Sequence, residues 1–289
     1  MDLRPSSRHP SGATPTRCAT VLTADGERIS AAYDDGPAGS ELCFVVAHGF
    51  TGGWRRPDNR RIARTLAELG GVVSFDHRGH GASSGVTTMG DDEVLDLDAA
   101  ITWARWLGAQ DVVTVGFSMG GSVVLRQAAL AGRRDREAPQ AVVSVSAAGF
   151  WFYRGTPPMR LLHTAVGSRR GRGVLRLVFG TRVTPREWQQ PYPLDPSESA
   201  GLIPPVPLLV VHGDRDGYFP VEHARSLRRS AAAGATLRGV PDRTEDWLIA
   251  GFGHAESATG EDLVRRIGGW ALREVAVDAG GPVASGDRS

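Results

Sequence analysis

Ser118 stands in Gly116-Phe117-Ser118-Met119-Gly120, with a glycine two residues away on either side. A serine hydroxyl is a poor nucleophile near neutrality. It attacks a carbonyl when a histidine takes its proton and a carboxylate fixes that histidine's tautomer. Candidates for both partners occur further along the chain. His212-Gly213-Asp214-Arg215-Asp216 supplies two carboxylates in one stretch, and Gly251-Phe252-Gly253-His254 supplies an imidazole. The chemistry these residue types can do together is acyl transfer through an acyl-serine, in the chain order nucleophile, acid, base. Asp214 and Asp216 stand as alternatives for the acid, because only geometry separates two carboxylates of one loop. The one not used has the ordinary job of capping local backbone amides.

These groups meet only if strands and helices carry them to a common edge. Ser118 follows the β-branched run 112–115 and precedes a helical segment, 119–131. That is the setting of a strand-to-helix turn, in which the serine backbone is strained and small neighbours prevent collision of strand with helix. Nearly continuous apolar runs at 42–47, 72–75, 112–115, 141–145 and 208–211 read as strands covered on both faces, with 247–250 as the last. The runs 18–23 and 29–33 read as an opening antiparallel pair joined at Asp25-Gly26. Helical period fills the gaps at 59–69, 92–107, 119–131, 222–232 and 261–275. The acidic Asp91, Asp92 and Glu93 read as charges at a helix N-terminus rather than as a glycosidase pair. Residues 149–206 break the alternation and are rich in aromatic residues and proline, as expected of an inserted lid. Trp151, Phe152, Tyr153 and Met159 are candidate pocket residues within it.

The composition excludes several classes of function. The chain has 289 residues with a mean hydropathy of -0.20, sufficient for one large core. Its 33 basic residues are all Arg and face 32 acidic ones, for a net charge of +1. Without lysine there is no pyridoxal Schiff base and no P-loop lysine, and without a basic surplus there is no case for a duplex-binding protein. The Arg runs read as solvated faces and loops. Two cysteines are too few for a disulfide framework, so a reducing, cytoplasmic setting is expected. The longest stretch free of Asp, Glu and Arg, 138–153, is too short to span a bilayer. Residues 1–17 lack the apolar run of a secretory signal and read as a tail, as do 277–289. No metal-ligand spacing such as HExxH occurs. The run Gly79-His80-Gly81-Ala82-Ser83-Ser84-Gly85 lacks the spacing and the immediate helix of a dinucleotide loop, so no metal or cofactor is expected.

Over about residues 18–275 the sequence resembles the α/β-hydrolase superfamily, in its lidded serine esterase and lipase-like branch. Five motifs carry the resemblance in order: His48-Gly49-Phe50, the run from Asp76 to Ser83 (DHRGHGAS), the serine turn GFSMGG, HGDRD, and GFGH. The resemblance implies a mostly parallel eight-stranded sheet flanked by helices, with a core of 18–148 and 207–276 and a lid at 149–206. It also implies Ser118 as nucleophile, His254 as base and Asp216 as acid, with the backbone N–H groups of Phe50 and Met119 as the oxyanion hole. His48 and His212 then brace loops, and His77 and His80 belong to a structural turn. Serine at the nucleophile position departs from dehalogenases and most epoxide hydrolases of this fold, which use aspartate. The expected activity is hydrolysis of a small or medium-chain carboxylic ester, with a small-molecule acyl substrate as partner and no nucleic acid. A thioesterase or lactonase shares the same intermediate. A ligand-binding protein of this fold without turnover is the expectation from a different class.

Overall fold

Runs such as Leu42–Ala47 and Ala141–Val145 are buried at every residue, so they can only be interior strands of a sheet with helices on both sides. The computed structural model describes residues 16–131, 138–186, 188 and 190–279. It contains β1 (Arg17–Leu22), β2 (Arg28–Asp34), β3 (Leu42–Ala47), β4 (Gly71–Phe75), β5 (Asp111–Phe117), β6 (Ala141–Val145), β7 (Leu208–Gly213) and β8 (Thr244–Ile249) in one sheet. The spatial order is β1-β2-β4-β3-β5-β6-β7-β8. The pairs β1/β2 and β2/β4 are antiparallel and the other five are parallel.

Helices α1 (Pro57–Leu66), α2 (Glu93–Trp106), α3 (Met119–Ala131), α4 (Pro157–Gly167), α5 (Arg169–Phe179), α6 (Pro196–Ala200), α7 (Glu222–Arg238), α8 (Ala255–Ala258) and α9 (Glu261–Ala279) complete the fold. One face of the sheet packs on α2, α3 and α7 through residues such as Leu97, Val124 and Leu227. The other packs on α1 and α9 through Ile62, Ile267 and the fully buried Trp270. Because the central strands are parallel, their carboxyl ends lie along one edge. The strand order reverses between β3 and β5, and a crevice opens at such a reversal. The loops after β3 and β5, which carry Phe50 and Ser118, both leave from that point.

The tails expected at 1–17 and 277–289 fall largely outside the described residues. At their inner ends β1 begins at Arg17 and α9 runs to Ala279. The helix passes its expected end at 275 because 276–279 contains no helix breaker, although Val277 is exposed. The last strand starts at Thr244, earlier than the expected 247. The stretch before it is taken up by α7, which continues to Arg238 and closes on Gly239 in the left-handed conformation (φ 64°).

Between β6 and β7 the chain forms a helical hairpin. Pro157 occupies the first turn of α4, where its missing N–H is no loss. Ser168 alone separates α4 from α5, and its Oγ accepts the Gly171 N–H at 3.0 Å as the N-cap of α5. A Cβ at Gly171 would lie 2.2 Å from the Ala165 carbonyl oxygen, so only glycine allows this close crossing.

Candidate active site

Ser118 lies between the end of β5 and the start of α3, with φ at 51°. A non-glycine residue in that region is strained and must be held by its surroundings. Its N–H donates to the Val145 carbonyl of β6 at 2.9 Å. A Cβ at Gly116 would lie 2.2 Å from the Gly120 oxygen, and one at Gly120 would lie 2.2 Å from the Ala47 oxygen. Both glycines of the motif are therefore required by close backbone approach.

The Ser118 hydroxyl lies 3.0 Å from His254 Nε2, and His254 Nδ1 lies 2.8 Å from Asp216 Oδ2. With the Nδ1–H tautomer, His254 donates to Asp216 and accepts from Ser118. The other Asp216 oxygen accepts the N–H groups of Tyr218 (2.8 Å) and Phe219 (3.0 Å). Burial works to raise the Asp216 pKa, but the His254 bond and the two amides outweigh it and hold the carboxyl below its ordinary value. Asp214 points elsewhere and caps the Gly251 N–H at 2.7 Å. The structure thus separates the two carboxylates that the sequence left together. His212 donates to the Phe219 carbonyl at 2.8 Å and braces the Asp216 turn from behind. His254 packs against the Tyr218 ring, with centroids 4.4 Å apart.

The segment after β3 curls over Ser118 and is fixed by the DHRGHG turn. His48 Nδ1 donates to the Gly49 carbonyl (2.7 Å), and its Nε2 accepts the His77 N–H (3.0 Å). His80 Nε2 accepts the Thr51 N–H (3.3 Å), and Asp76 accepts the N–H groups of Trp54 (2.8 Å) and Ala82 (3.2 Å). Burial pushes His48 well below its ordinary pKa and His80 to about 4, so both rings are neutral spacers. Phe50 and Met119 both line the cavity at Ser118. Met119 opens α3, so its N–H has no partner within the helix.

Sequence reasoning missed Glu256. Its Oε1 accepts the Gly49 N–H at 2.7 Å, and it lines the same cavity as Ser118 and His254. Burial raises its pKa, with the Gly49 amide only partly offsetting this. Two further contacts hold its chain segment, since Arg61 donates to the carbonyls of Glu256 (3.0 Å) and Thr259 (3.1 Å). Glu256 lies two residues beyond His254, but no spacing in the sequence indicates that it folds back onto the loop after β3.

The cavity has a volume of about 720 Å³. Trp151 and Met159 line it, as do Leu162, Leu175 and Phe219. Of the other aromatic candidates, Tyr153 packs on His223 and Phe219, and the exposed Phe152 packs on Trp188 and Tyr192. The acidic residues before α2 are used locally. Glu93 is buried and accepts from Thr87, Thr88 and Gly90, while Asp91 pairs with Arg126 at 3.0 Å. Among the described residues, no cluster of three or more His, Cys, Asp or Glu is arranged to hold a metal ion.

Comparison with known proteins agrees with this architecture. The chain is 26% identical over 233 residues to the uncharacterized protein YfhR of Escherichia coli (strain K12), covering 75% of this chain and 69% of the relative. The Pyrococcus furiosus esterase Pf2001 superposes with a TM-score of 0.68 at 21% identity, covering 90% of this chain and 91% of the other. Est1E of Butyrivibrio proteoclasticus, in a structure with ferulic acid bound, gives a TM-score of 0.60 at 20% identity, covering 89% of this chain and all of the other. These likenesses establish a shared fold. Residues 44–283 match the Alpha/beta hydrolase family, and with most of its length inside that match the chain belongs to this family.

Proposed function

We propose that the protein is a serine hydrolase that cleaves a small or medium-chain carboxylic ester through an acyl-Ser118 intermediate. The observation that carries this reading is the unbroken relay from Ser118 Oγ through His254 to Asp216, at 3.0 and 2.8 Å, at the base of an apolar cavity. Ser118 Oγ attacks the ester carbonyl carbon while His254 Nε2 takes the hydroxyl proton. Asp216 stabilises the imidazolium that forms. The negative oxygen of the tetrahedral intermediate accepts the N–H groups of Met119 and Phe50, and each such donor contributes on the order of 3 kcal/mol. Collapse breaks the bond to the leaving oxygen, which receives the proton from His254 and departs as an alcohol. Water then attacks the acyl-serine with His254 as base, releasing the carboxylic acid and restoring Ser118.

A cavity of about 720 Å³ lies within the usual range for small ligands. Its apolar lining favours an uncharged acyl group. Residues 149–206 act as the lid of this cavity, with α4 and α5 forming its roof. Cys18 is exposed and Cys43 buried, and neither is in a disulfide, which suits a reducing cytoplasmic setting. The test is hydrolysis of p-nitrophenyl esters of increasing acyl length by wild type and Ser118→Ala. Turnover with a clear length optimum in wild type, lost by several orders of magnitude in the variant, supports the reading. Equal rates in the two proteins refute it.

A further inference from the structure

The segment that roofs the cavity is unlike the rest of the chain in charge. From residue 138 to 186 there is neither Asp nor Glu, while eight arginines lie between Arg154 and Arg186. A charge of +8 here, against +1 for the whole chain, leaves -7 for the remainder. Arg154, Arg160, Arg169, Arg170 and Arg176 are exposed, and among the described residues none of them forms an ion pair. On α5 the apolar residues Val174, Leu177 and Val178 follow the spacing i, i+3, i+4 and are 54%, 87% and 65% exposed. Leu161 on α4, 72% exposed, extends the same surface. Only Leu175 of α5 is buried. Leu161 and Val174 also line the cavity that ends at Ser118, so this exposed face adjoins it.

A helix with protruding aliphatic residues, arginines and no acidic side chain has the chemistry of one that lies in a membrane interface. The aliphatic groups enter the acyl region, while the arginines extend along their stems to lipid phosphates. We infer that the α4–α5 face is a docking surface for an anionic lipid bilayer, oriented so that the cavity opens toward the membrane. Charge complementarity selects this occupant, because the segment that carries the positive excess also exposes the aliphatic residues, with Arg160, Arg169, Arg170 and Arg176 on the same two helices. An acidic protein would satisfy the arginines but leave the aliphatic stripe without a stated partner. Each arginine near an anionic surface strengthens partitioning by about fivefold at low ionic strength.

The experiment is co-sedimentation of the full chain with vesicles of phosphatidylcholine alone and of phosphatidylcholine mixed with phosphatidylglycerol. The variants are Leu177→Asp/Val178→Asp and Arg170→Glu/Arg176→Glu, whose side chains lie outside the cavity. Melting temperature and hydrolysis of a short soluble ester check that they fold. The expected result is binding to mixed vesicles at least tenfold tighter than to phosphatidylcholine. That binding should weaken at least tenfold in 1 M NaCl and at least tenfold in each variant, with melting unchanged. Equal binding to both vesicle types, no binding to either, or variants that bind like wild type overturn the inference. A concentration-dependent dimer seen by light scattering, and converted to monomer by Leu177→Asp/Val178→Asp, also overturns it and makes this face a contact between copies of the chain.

Discussion

Replacing Asp216 by Asn, alongside the same change at Asp214, separates two carboxylates that sit two residues apart. In Asp216→Asn the side-chain oxygen still accepts the Tyr218 and Phe219 amides, so the turn keeps its shape. The amide NH2 then faces His254 Nδ1 at the former 2.8 Å contact and requires that nitrogen to be an acceptor. The imidazole is thereby driven to carry its proton on Nε2, toward Ser118, where it can no longer take the hydroxyl proton. The same tautomer error in a serine protease lowers kcat by about 10^4, or about 5.4 kcal/mol of barrier at ~1.36 kcal/mol per decade. In Asp214→Asn the oxygen still accepts the Gly251 N–H, and His254 is untouched. Exchanging a charged for a neutral acceptor there costs about 1 kcal/mol of stability, and activity stays within about fivefold of wild type. The assay is p-nitrophenyl ester hydrolysis at saturating substrate, with circular dichroism to verify folding. A larger loss in Asp214→Asn, or retention of more than about a tenth of wild-type kcat in Asp216→Asn, refutes the reasoning.

Gly120→Ala places a Cβ 2.2 Å from the Ala47 oxygen, against backbone that cannot yield, and is expected to cost about 3 kcal/mol or to prevent soluble expression. Gly269→Ala in α9 meets open space and gains about 0.5–1 kcal/mol, so thermal melting of the pair should move in opposite directions. Trp270→Ala removes the largest fully buried side chain, and urea unfolding should show a loss of roughly 3–5 kcal/mol. Glu256 has a raised pKa, so its contribution to stability is present below its ordinary value of 4.5 and is lost as pH rises through the raised one. Glu256→Gln keeps the acceptor for Gly49 but does not titrate. Its melting temperature should therefore gain on wild type as pH rises from about 4 to neutrality, and a constant difference would refute the assignment.

Strands buried on both faces announced the sheet, because their continuous Val, Leu and Ala runs leave no polar side to show water. The serine turn was equally legible, since Gly116 and Gly120 are required by backbone approaches that no side chain could accommodate. Asp214 and Asp216 were not separable, because the choice depends on which carboxylate the turn after β7 aims at His254. Glu256 was invisible for a related reason: it meets Gly49 across 207 residues of sequence, and nothing local signals that contact. The α4–α5 hairpin was read only as an insertion. Its aliphatic residues at helical spacing face outward, so they did not register as the buried stripe by which helices are usually recognised.

The most direct test of the acyl-serine reading is peptide mapping after treatment with a fluorophosphonate, which captures a serine only when its oxygen is activated. Wild type should carry one adduct, on Ser118, absent from Ser118→Ala and formed at least about 10^3 times more slowly in His254→Ala. An adduct on another residue, or labelling of His254→Ala at the wild-type rate, would contradict the proposed relay through Ser118, His254 and Asp216.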